Sequence, residues 1–331
     1  MTKVLILSGT EDAHAASVAK ALAELNIEFD YYDFSQFIGA SRFERCIGYS
    51  QGYSLIKDRA GRELDLRSYK GIWHRRPGLL TKEGLPEDWM NRLVEDEGRA
   101  ALDSMFTSLP ALWVNHPRKD YVCMKKLWQL EIAENIGFAI PKTLVTSSSE
   151  ATKIFFELCG GEVIYKLIAQ TSSRNMPRGE LAPGLCTLPV RERDLQHIKQ
   201  VDGFPHLFQE KIRKRCDLRV TIVGQRIFSI EIDSQNGRGQ LDWRNDYTVK
   251  MVPFELPSEI QEKCMQMMRR LQLNYGAFDF ILDPDGKCVF IEVNSAGQYL
   301  WIEQRCGMPI SMELAKLLGG QTDPVVRTVQ L

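Results

Sequence analysis

The stretch that most constrains the fold lies near the C-terminus, where residues 278–294 read FDFILDPDGKCVFIEVN. Two apolar runs flank the turn DPDG, so the segment predicts a β-hairpin. This pairing brings Asp279 within about one residue of direct opposition to Glu292. Because side chains two apart on a strand share a face, Asn294 joins the two acids if the strand continues past Glu292. The sequence therefore predicts that three oxygen-bearing side chains converge on one face of a sheet.

Two carboxylates this close repel each other, which raises their pKa values unless a cation lies between them. Three hard oxygen ligands are typical of Mg²⁺ whose coordination is completed by water and phosphate oxygens. The alternative is that Asp279 and Glu292 are edge-strand acids in salt bridges with Arg or Lys. Spacing alone leaves both interpretations open.

Composition excludes several classes of function. The chain has 331 residues, 44% hydrophobic and 26% charged, which fits two or three globular domains. A formal net charge of −1 gives no overall field that would attract nucleic acid or anionic lipid. The cysteines stand singly, and no apolar stretch approaches the roughly 18 residues of a membrane helix. We therefore expect a cytoplasmic protein with neither a nucleic-acid nor a membrane partner.

The N-terminal part alternates strands and helices in the manner of a parallel sheet. The predicted elements are the strand KVLIL, the helix AASVAKALAELNI, the strand FDYYDF, a hairpin over residues 45–57, the strand GIWHRRP, a helix over 87–108 and the strand ALWVN. The pattern breaks at NHPRKD, so this first domain ends near residue 117. Beyond it the pattern becomes mixed α+β, and DYVCMKKLWQLEIAENIG predicts one amphipathic helix between a cap at Asp120 and a stop at Gly137. Residues 170–184, rich in Ser, Arg, Gly and Pro, predict a mobile loop.

A nucleotide site would need cations, yet the sequence contains neither the G-x-x-x-x-G-K-[ST] nor the G-x-G-x-x-G phosphate-binding motif. Lys166 interrupts the apolar strand VIYKLIA, where a lysine is costly to bury without an anion. The alternative is an edge-strand lysine whose ammonium reaches water. Lys126 lies on the amphipathic helix, where it is either a solvated residue or a second cation of the site.

The order of several segments resembles the ATP-grasp superfamily, and most closely its RimK-like branch of ribosomal-peptide maturases, which includes the microviridin and graspetide macrocyclases. These segments are KLWQLEIAENIGFAIPKTLVTS, YK on a strand, FQEKI, DLRVTIVG, GAFDFIL and FIEVNSAGQYLWIE. The likeness covers residues 117–318, and IWHRRP marks the preceding part as a pre-ATP-grasp domain. The resemblance implies α/β and α+β architecture in three parts. These are a substrate-side domain over 1–117, a central or lid subdomain over 118–205 and a C-terminal subdomain with the magnesium site over 206–331.

The same resemblance implies where ATP would bind. Lys126 and Lys166 would contact its phosphates. Gln209, Glu210 and Ile212 lie in the hinge segment that meets adenine, with Glu210 also a candidate for the ribose. The loop at 170–184 would close as a lid over a reactive intermediate.

The implied catalytic residues are Arg219 and Lys166, because Arg219 matches an arginine that contacts the γ-phosphate and the reacting carboxylate. Asp279, Glu292 and Asn294 match the magnesium ligands of the superfamily, which favours the metal interpretation of the hairpin.

Basic residues outside this set are candidates for contacts with the peptide. His74, Arg75 and Arg76 end a strand where open α/β sheets bind ligands, so they either bind peptide carboxylates or form a surface charge cluster. Arg244 in DWR matches a short motif of peptide maturases in this branch. Residues 213–215 in KIRKRCDLR lack aromatic neighbours for base stacking and are expected in a solvated turn.

The implied reaction is ATP-dependent activation of a peptide carboxylate as an acyl phosphate, followed by attack of an amine or hydroxyl to give an amide or ester. We expect macrocyclisation of a ribosomal precursor peptide with leader and core, by an enzyme that is a homodimer in the family. One alternative is a RimK-like ligase that adds free amino acids to a peptide, protein or metabolite. Another is a nucleotide-binding partner module without turnover.

Overall fold

The computed structural model describes residues 2–9, 11–48, 52–76, 85–168 and 187–327. The loop predicted at 170–184, with its proposed role as a lid, lies outside the described residues. Within these ranges no helix is long and apolar enough to cross a membrane.

The N-terminal unit contains a four-stranded parallel sheet of order β2-β1-β6-β7, as the alternating pattern predicts. Its elements are β1 (Lys3–Ser8), α1 (Ala13–Glu24), β2 (Glu28–Tyr32), α2 (Phe37–Ala40), β3 (Arg42–Arg45), β4 (Ser54–Lys57), β5 (Glu63–Asp65), β6 (Gly71–Arg76), α3 (Asp88–Thr107) and β7 (Leu112–Val114). The strands β3, β4 and β5 form a small antiparallel sheet beside it. Val18 and Leu22 bury the apolar face of α1.

The middle of the chain forms the central sheet, which is antiparallel in the order β10-β9-β11-β8. Its elements are α4 (Pro117–Cys123), α5 (Lys126–Ile136), β8 (Thr143–Thr146), α6 (Ser149–Leu158), β9 (Val163–Lys166), β10 (Thr187–Val190) and β11 (His206–Glu210). Ser148 caps α6 by accepting a hydrogen bond from Ala151 N at 3.1 Å. The strand β11 belongs to this sheet although it lies beyond the predicted boundary at residue 205.

The C-terminal sheet is antiparallel, with five strands in the order β14-β13-β12-β15-β16. Its elements are β12 (Cys216–Val223), β13 (Arg226–Ile232), β14 (Met251–Pro253), α7 (Ser258–Leu271), β15 (Tyr275–Leu282), β16 (Cys288–Asn294), α8 (Leu300–Cys306) and α9 (Ile310–Leu318). One face packs on α5 and α7 through a buried cluster that includes Phe278, Phe280 and Phe290. The other face carries Arg219 and Asp279 next to a second buried apolar cluster that includes Ile230 and Ala277.

The helix predicted from Asp120 to Gly137 is wrong in one respect, because the chain forms two helices instead. His116, not Asp120, caps the first of them, and α5 ends at Gly137 as expected, with φ +91°. Gln129 explains the break. Its Nε2 donates to the carbonyl of Cys123 at the end of α4, and also to Val293 O at 2.9 Å. Its Oε1 accepts from Val293 N at 2.8 Å, so one buried amide joins both helices to the edge strand β16.

We expect Gln129→Met to reduce the free energy of unfolding by about 3 kcal/mol, since it fills the same space but leaves buried backbone groups without partners. Urea denaturation followed by circular dichroism measures the change. Gln225→Met is the matched control, because Gln225 is exposed and makes one hydrogen bond, to Pro324 O. An equal and small loss in both variants would contradict this account of the helix break.

Candidate functional site

The acids of the C-terminal hairpin lie directly opposite each other, Asp279 on β15 and Glu292 on β16. Asn294 pairs with Ala277 further along the same ladder, and a bulge follows Asp279. Val293 points into the apolar core on the other face. The predicted opposition of Asp279 and Glu292 is confirmed, whereas the convergence of Asn294 with them stays a prediction. Because β15 lies inside the sheet, Asp279 is not on an edge strand.

Both acids have cationic neighbours. Arg219 on β12 lies across the ladder from Asp279, and its Nη1 donates to the two carboxylate oxygens at 3.0 and 2.9 Å. Lys126 Nζ lies 3.9 Å from Glu292 Oε2. Burial raises the pKa of Asp279, Arg219 opposes this shift and Glu292 adds to it. The salt-bridge interpretation therefore describes the pairing of Asp279 in this structure.

The oxygen donors that remain fit a magnesium ion. A carboxylate offers about four lone-pair sites, of which Arg219 engages two on Asp279. Asn294 Oδ1 accepts one hydrogen bond, from Ala296 N at 3.0 Å. No group of three or more His, Cys, Asp and Glu is placed to bind a metal in the part of the chain that the structure describes. Two carboxylates and one amide are the set that the hairpin offers instead.

The two lysines approach the acids from other elements. Lys126 is the first residue of α5, and its Nζ donates to Leu167 O at 3.4 Å just past the end of β9. Lys166 ends β9, which lies between β10 and β11, so the edge-strand interpretation of this lysine is wrong. Burial lowers the pKa of Lys166 to about 8, while the charge of Glu292 partly offsets that shift. An anion that binds beside this lysine raises its pKa again, because the anion stabilises the charged form.

The hinge residues lie where the central sheet leads into the C-terminal sheet. Gln209 is buried, donates to Thr143 Oγ1 at 3.0 Å and has a buried Oε1 to which no described residue donates. Glu210 accepts instead from Lys142, through its backbone N–H at 3.3 Å and its ammonium at 3.4 Å. Ile212 follows β11, and its backbone N–H donates to no other described residue. The predicted adenine contacts of this segment stay predictions.

The three substrate candidates of the N-terminal unit, His74, Arg75 and Arg76, lie in different environments. His74 Nδ1 lies 3.0 Å from Asp120 Oδ2 at the start of the central region. Arg75 is only 2% exposed and contacts main-chain carbonyls of the segment after Asn294. It is therefore not part of a surface charge cluster. Arg76 ends β6, and its side chain lies outside the described part of the structure.

Arg244 is half-exposed and pairs with Asp242, with Nε to Oδ1 at 2.8 Å and Nη2 to Oδ2 at 2.5 Å. Asp242, and more weakly Glu292 and Asp279, raise the pKa of Arg244. This arginine therefore lies within electrostatic reach of the two hairpin acids.

The prediction of a solvated turn at 213–215 is wrong for Lys214. Its side chain is 9% exposed, and Nζ donates to Asp217 at 3.1 and 3.2 Å and to Leu241 O at 3.1 Å. Asp217 also accepts from Ser234, so this pair holds the segment that leads to Arg244. The signal that could have revealed it is the acid three residues after Lys214, at the start of a buried strand.

Several solved structures are similar to this chain, whereas no protein-family model and no curated protein matches it. Macrocyclase MdnC from Microcystis aeruginosa MRC, bound with precursor peptide MdnA, is 27% identical with a TM-score of 0.83, over 97% of this chain and 100% of MdnC. A RiPP-associated ATP-grasp ligase from Chryseobacterium gregarium, in complex with ADP and a leader and core peptide, is 26% identical with a TM-score of 0.89, over 99% and 100%. Macrocyclase MdnB from the same Microcystis is 25% identical with a TM-score of 0.79, over 96% and 99%. These findings confirm the predicted ATP-grasp fold and the resemblance to peptide maturases of that fold.

We expect the stability contribution of Lys166 to depend on pH. The unfolded lysine keeps its proton up to about pH 10.5 and the folded one only to about pH 8, so the unfolded chain binds more protons between these values. The penalty for the buried charge is thus present in full below about pH 8 and is lost as the pH rises towards 10.5. At neutral pH, Lys166→Met should be about 2 kcal/mol more stable than the wild type, with a smaller difference near pH 10.

Urea denaturation across this pH range measures the difference. Lys153→Met on the exposed side of α6 is the control, since an exposed lysine stays solvated in both states. A Lys166→Met difference that is independent of pH would show that this ammonium is not desolvated.

Proposed function

We propose that this ATP-grasp protein is an ADP-forming ligase that activates a carboxylate of a ribosomally made precursor peptide and closes it into a macrocyclic amide or ester. The observation that carries the proposal is the pairing of the two hairpin acids with cations, Asp279 with Arg219 and Glu292 with Lys126. Lys166, whose pKa the charge of Glu292 raises, and Asn294, which follows Glu292 on the same strand, would complete a set of three cations and three oxygen ligands. Similar solved structures include a macrocyclase bound with a precursor peptide and a RiPP-associated ligase in complex with ADP and a leader and core peptide.

The chemistry explains why such a site needs cations. A carboxylate oxygen attacks the γ-phosphorus of ATP, the bond from that phosphorus to the β,γ-bridging oxygen breaks, and ADP leaves. An amine or hydroxyl then attacks the acyl carbon, the bond to the phosphate oxygen breaks, and phosphate and a proton are released. The first step brings two anions together, and fixed positive charge lowers its barrier.

The residues of the site would have different roles in this reaction. Lys126 and Lys166 would hold phosphate oxygens, and an anion beside Lys166 keeps that lysine charged. Arg219 is held by Asp279 and by Gln298 O at 3.1 Å, so its guanidinium is fixed where the reacting carboxylate would meet phosphate. Mg²⁺, when bound by the hairpin oxygens, would neutralise charge on the phosphates. No protein nucleophile is required.

The two hairpin carboxylates should be essential for magnesium-dependent turnover. We expect the double variant Asp279→Asn, Glu292→Gln to lower the rate of ADP formation by at least about 100-fold, because the amides bind the cation weakly and leave Arg219 without its partner. A coupled assay for ADP with a candidate precursor measures the rate. Asp285→Asn, in the exposed turn of the same hairpin, is the control. Undiminished ADP formation would count against the metal assignment.

Product mass separates the macrocyclase from its alternatives. Each ring closed lowers the intact mass of the peptide by one water molecule, whereas a ligase that adds free amino acids raises it by residue masses. A nucleotide-binding module without turnover releases no ADP with any peptide.

Arg244 tests the peptide side of the site. We expect Arg244→Gln to raise the KM for the precursor by about tenfold or more, since a charge-assisted contact with a carboxylate is lost. The affinity for ADP without peptide should change less than about twofold. Arg238→Gln, an exposed arginine of the same segment, is the control. Equal changes in KM and ADP affinity would place Arg244 at the nucleotide instead.

A cytoplasmic location, a homodimer and the absence of a nucleic-acid partner stay predictions.

A further inference from the structure

Arg75 reaches from the N-terminal unit to residues 295–299, the segment between the proposed metal ligands and α8. It lies near the end of β6, and its Nη1 donates to Ala296 O and, at 3.3 Å, to Gly297 O. The backbone N–H of Ala296 donates to Asn294 Oδ1 at 3.0 Å. One residue, Ala296, therefore links the buried guanidinium of the first unit, through its carbonyl, to the amide of a predicted magnesium ligand, through its N–H.

Asp12 connects Arg75 to a second contact with this segment. Its Oδ2 lies 3.4 Å from Arg75 Nε, while its Oδ1 caps α1 by accepting from His14 N at 2.8 Å and Ala15 N at 3.2 Å. The Nδ1 of His14 lies 3.3 Å from the same Oδ1. Burial raises the pKa of Asp12, but the hydrogen bond from His14 and the charge of Arg75 hold it well below its ordinary range.

His14 contacts the end of the segment that leads into α8. Its Nε2 accepts from Tyr299 N at 3.2 Å and from Leu300 N at 3.4 Å, at the point where α8 begins. We use the term interdomain clamp for Asp12, His14 and Arg75.

The opposite side of the segment is held by the C-terminal sheet. Tyr275 donates its hydroxyl to Gly297 O at 2.8 Å, and Arg219 Nη2 donates to Gln298 O at 3.1 Å. A Cβ on Gly297 would lie 2.5 Å from Ala277 Cβ and 2.6 Å from Arg219 Nη2, so the segment has no room to shift towards the sheet. The clamp thus holds the segment from the side of the N-terminal unit.

We infer that Asp12, His14 and Arg75 are positioning residues through which the N-terminal unit orients the Asn294 amide and sets the affinity of the site for Mg²⁺. The inference rests on the proposed function, because it assumes that Asn294 binds the metal. An apolar side chain would fill this space at lower cost, because Arg75 buries its Nε and Nη2 without a hydrogen-bond partner among the described residues. A role in packing alone therefore does not explain the guanidinium. Groups that orient metal ligands in this way typically change metal affinity by about 10–100-fold.

Two substitutions separate the clamp from folding. Asp12→Ser retains a good helix cap for α1 but loses the carboxylate that contacts Arg75. Arg75→Lys keeps a buried cation but cannot reach two carbonyls and Asp12 together. The measurement is calorimetric ADP binding by the full chain at a series of Mg²⁺ concentrations, with the melting temperature recorded for each variant.

For both variants we expect the Mg²⁺ concentration for half-maximal ADP binding to rise by about tenfold or more. Binding of ADP without Mg²⁺ should change less than twofold. His14→Gln, which can still accept from the α8 N–H groups, should bind Mg²⁺ more tightly than His14→Leu. Arg62→Gln is the matched control, because Arg62 also bonds acids and a carbonyl of the N-terminal unit, namely Asp30, Asp58 and Tyr31 O.

The outcomes are distinguishable. A wild-type magnesium requirement in folded Asp12→Ser and Arg75→Lys would overturn the clamp while leaving the proposed function intact. A wild-type protein whose ADP binding is independent of Mg²⁺ would overturn the metal site itself, and the clamp with it. Lower melting temperatures with an unchanged Mg²⁺ requirement would show a structural contact only.

Discussion

The structure depends on the placement of two carboxylates at directly opposed positions of neighbouring strands. Asp279 and Glu292 repel each other in a partly desolvated site, so the fold must bring positive charge to them. Arg219 comes from the next strand, and two lysines come from α5 and β9. Removing one partner of a buried ion pair such as Arg219–Asp279 typically costs about 3–5 kcal/mol, because it leaves an uncompensated buried charge.

The two faces of the C-terminal sheet make different contacts. Phe278, Phe280 and Phe290 pack with α5 and α7 on one face, where burial of apolar area stabilises the sheet. Strand alternation then assigns Arg219 and Asp279 to the other face at adjacent positions of neighbouring strands. Apolar contacts on the opposite face, and those of Ile230 and Ala277 beside the charged pair, help to offset the cost of a polar site on a central strand.

Local pattern was sufficient for the parts of the site that local geometry decides. The alternation around DPDG predicted the opposition of Asp279 and Glu292, and the strand-helix order predicted the parallel sheet. The errors have a common cause in contacts between residues far apart in sequence. Gln129 breaks a helix through an edge strand 164 positions away, and Arg75 bonds a carbonyl 221 positions away. Lys214 likewise donates a hydrogen bond to Leu241 O, and the sequence pattern around residue 214 could not predict this contact.

The same long-range contacts argue that the N-terminal unit is part of the site's framework rather than an appended substrate platform. Asn115, just after β7, donates to Tyr275 O and Ser295 O and accepts from Asn274 N and Tyr275 N. These bonds fix the start of β15 and the end of β16 against the first unit. The hairpin that carries the acids is thus anchored at its open end by residues of another sheet, whereas its turn is exposed. Since the open end is also where Asn294 lies, the docking of the two units sets the position of this predicted metal ligand.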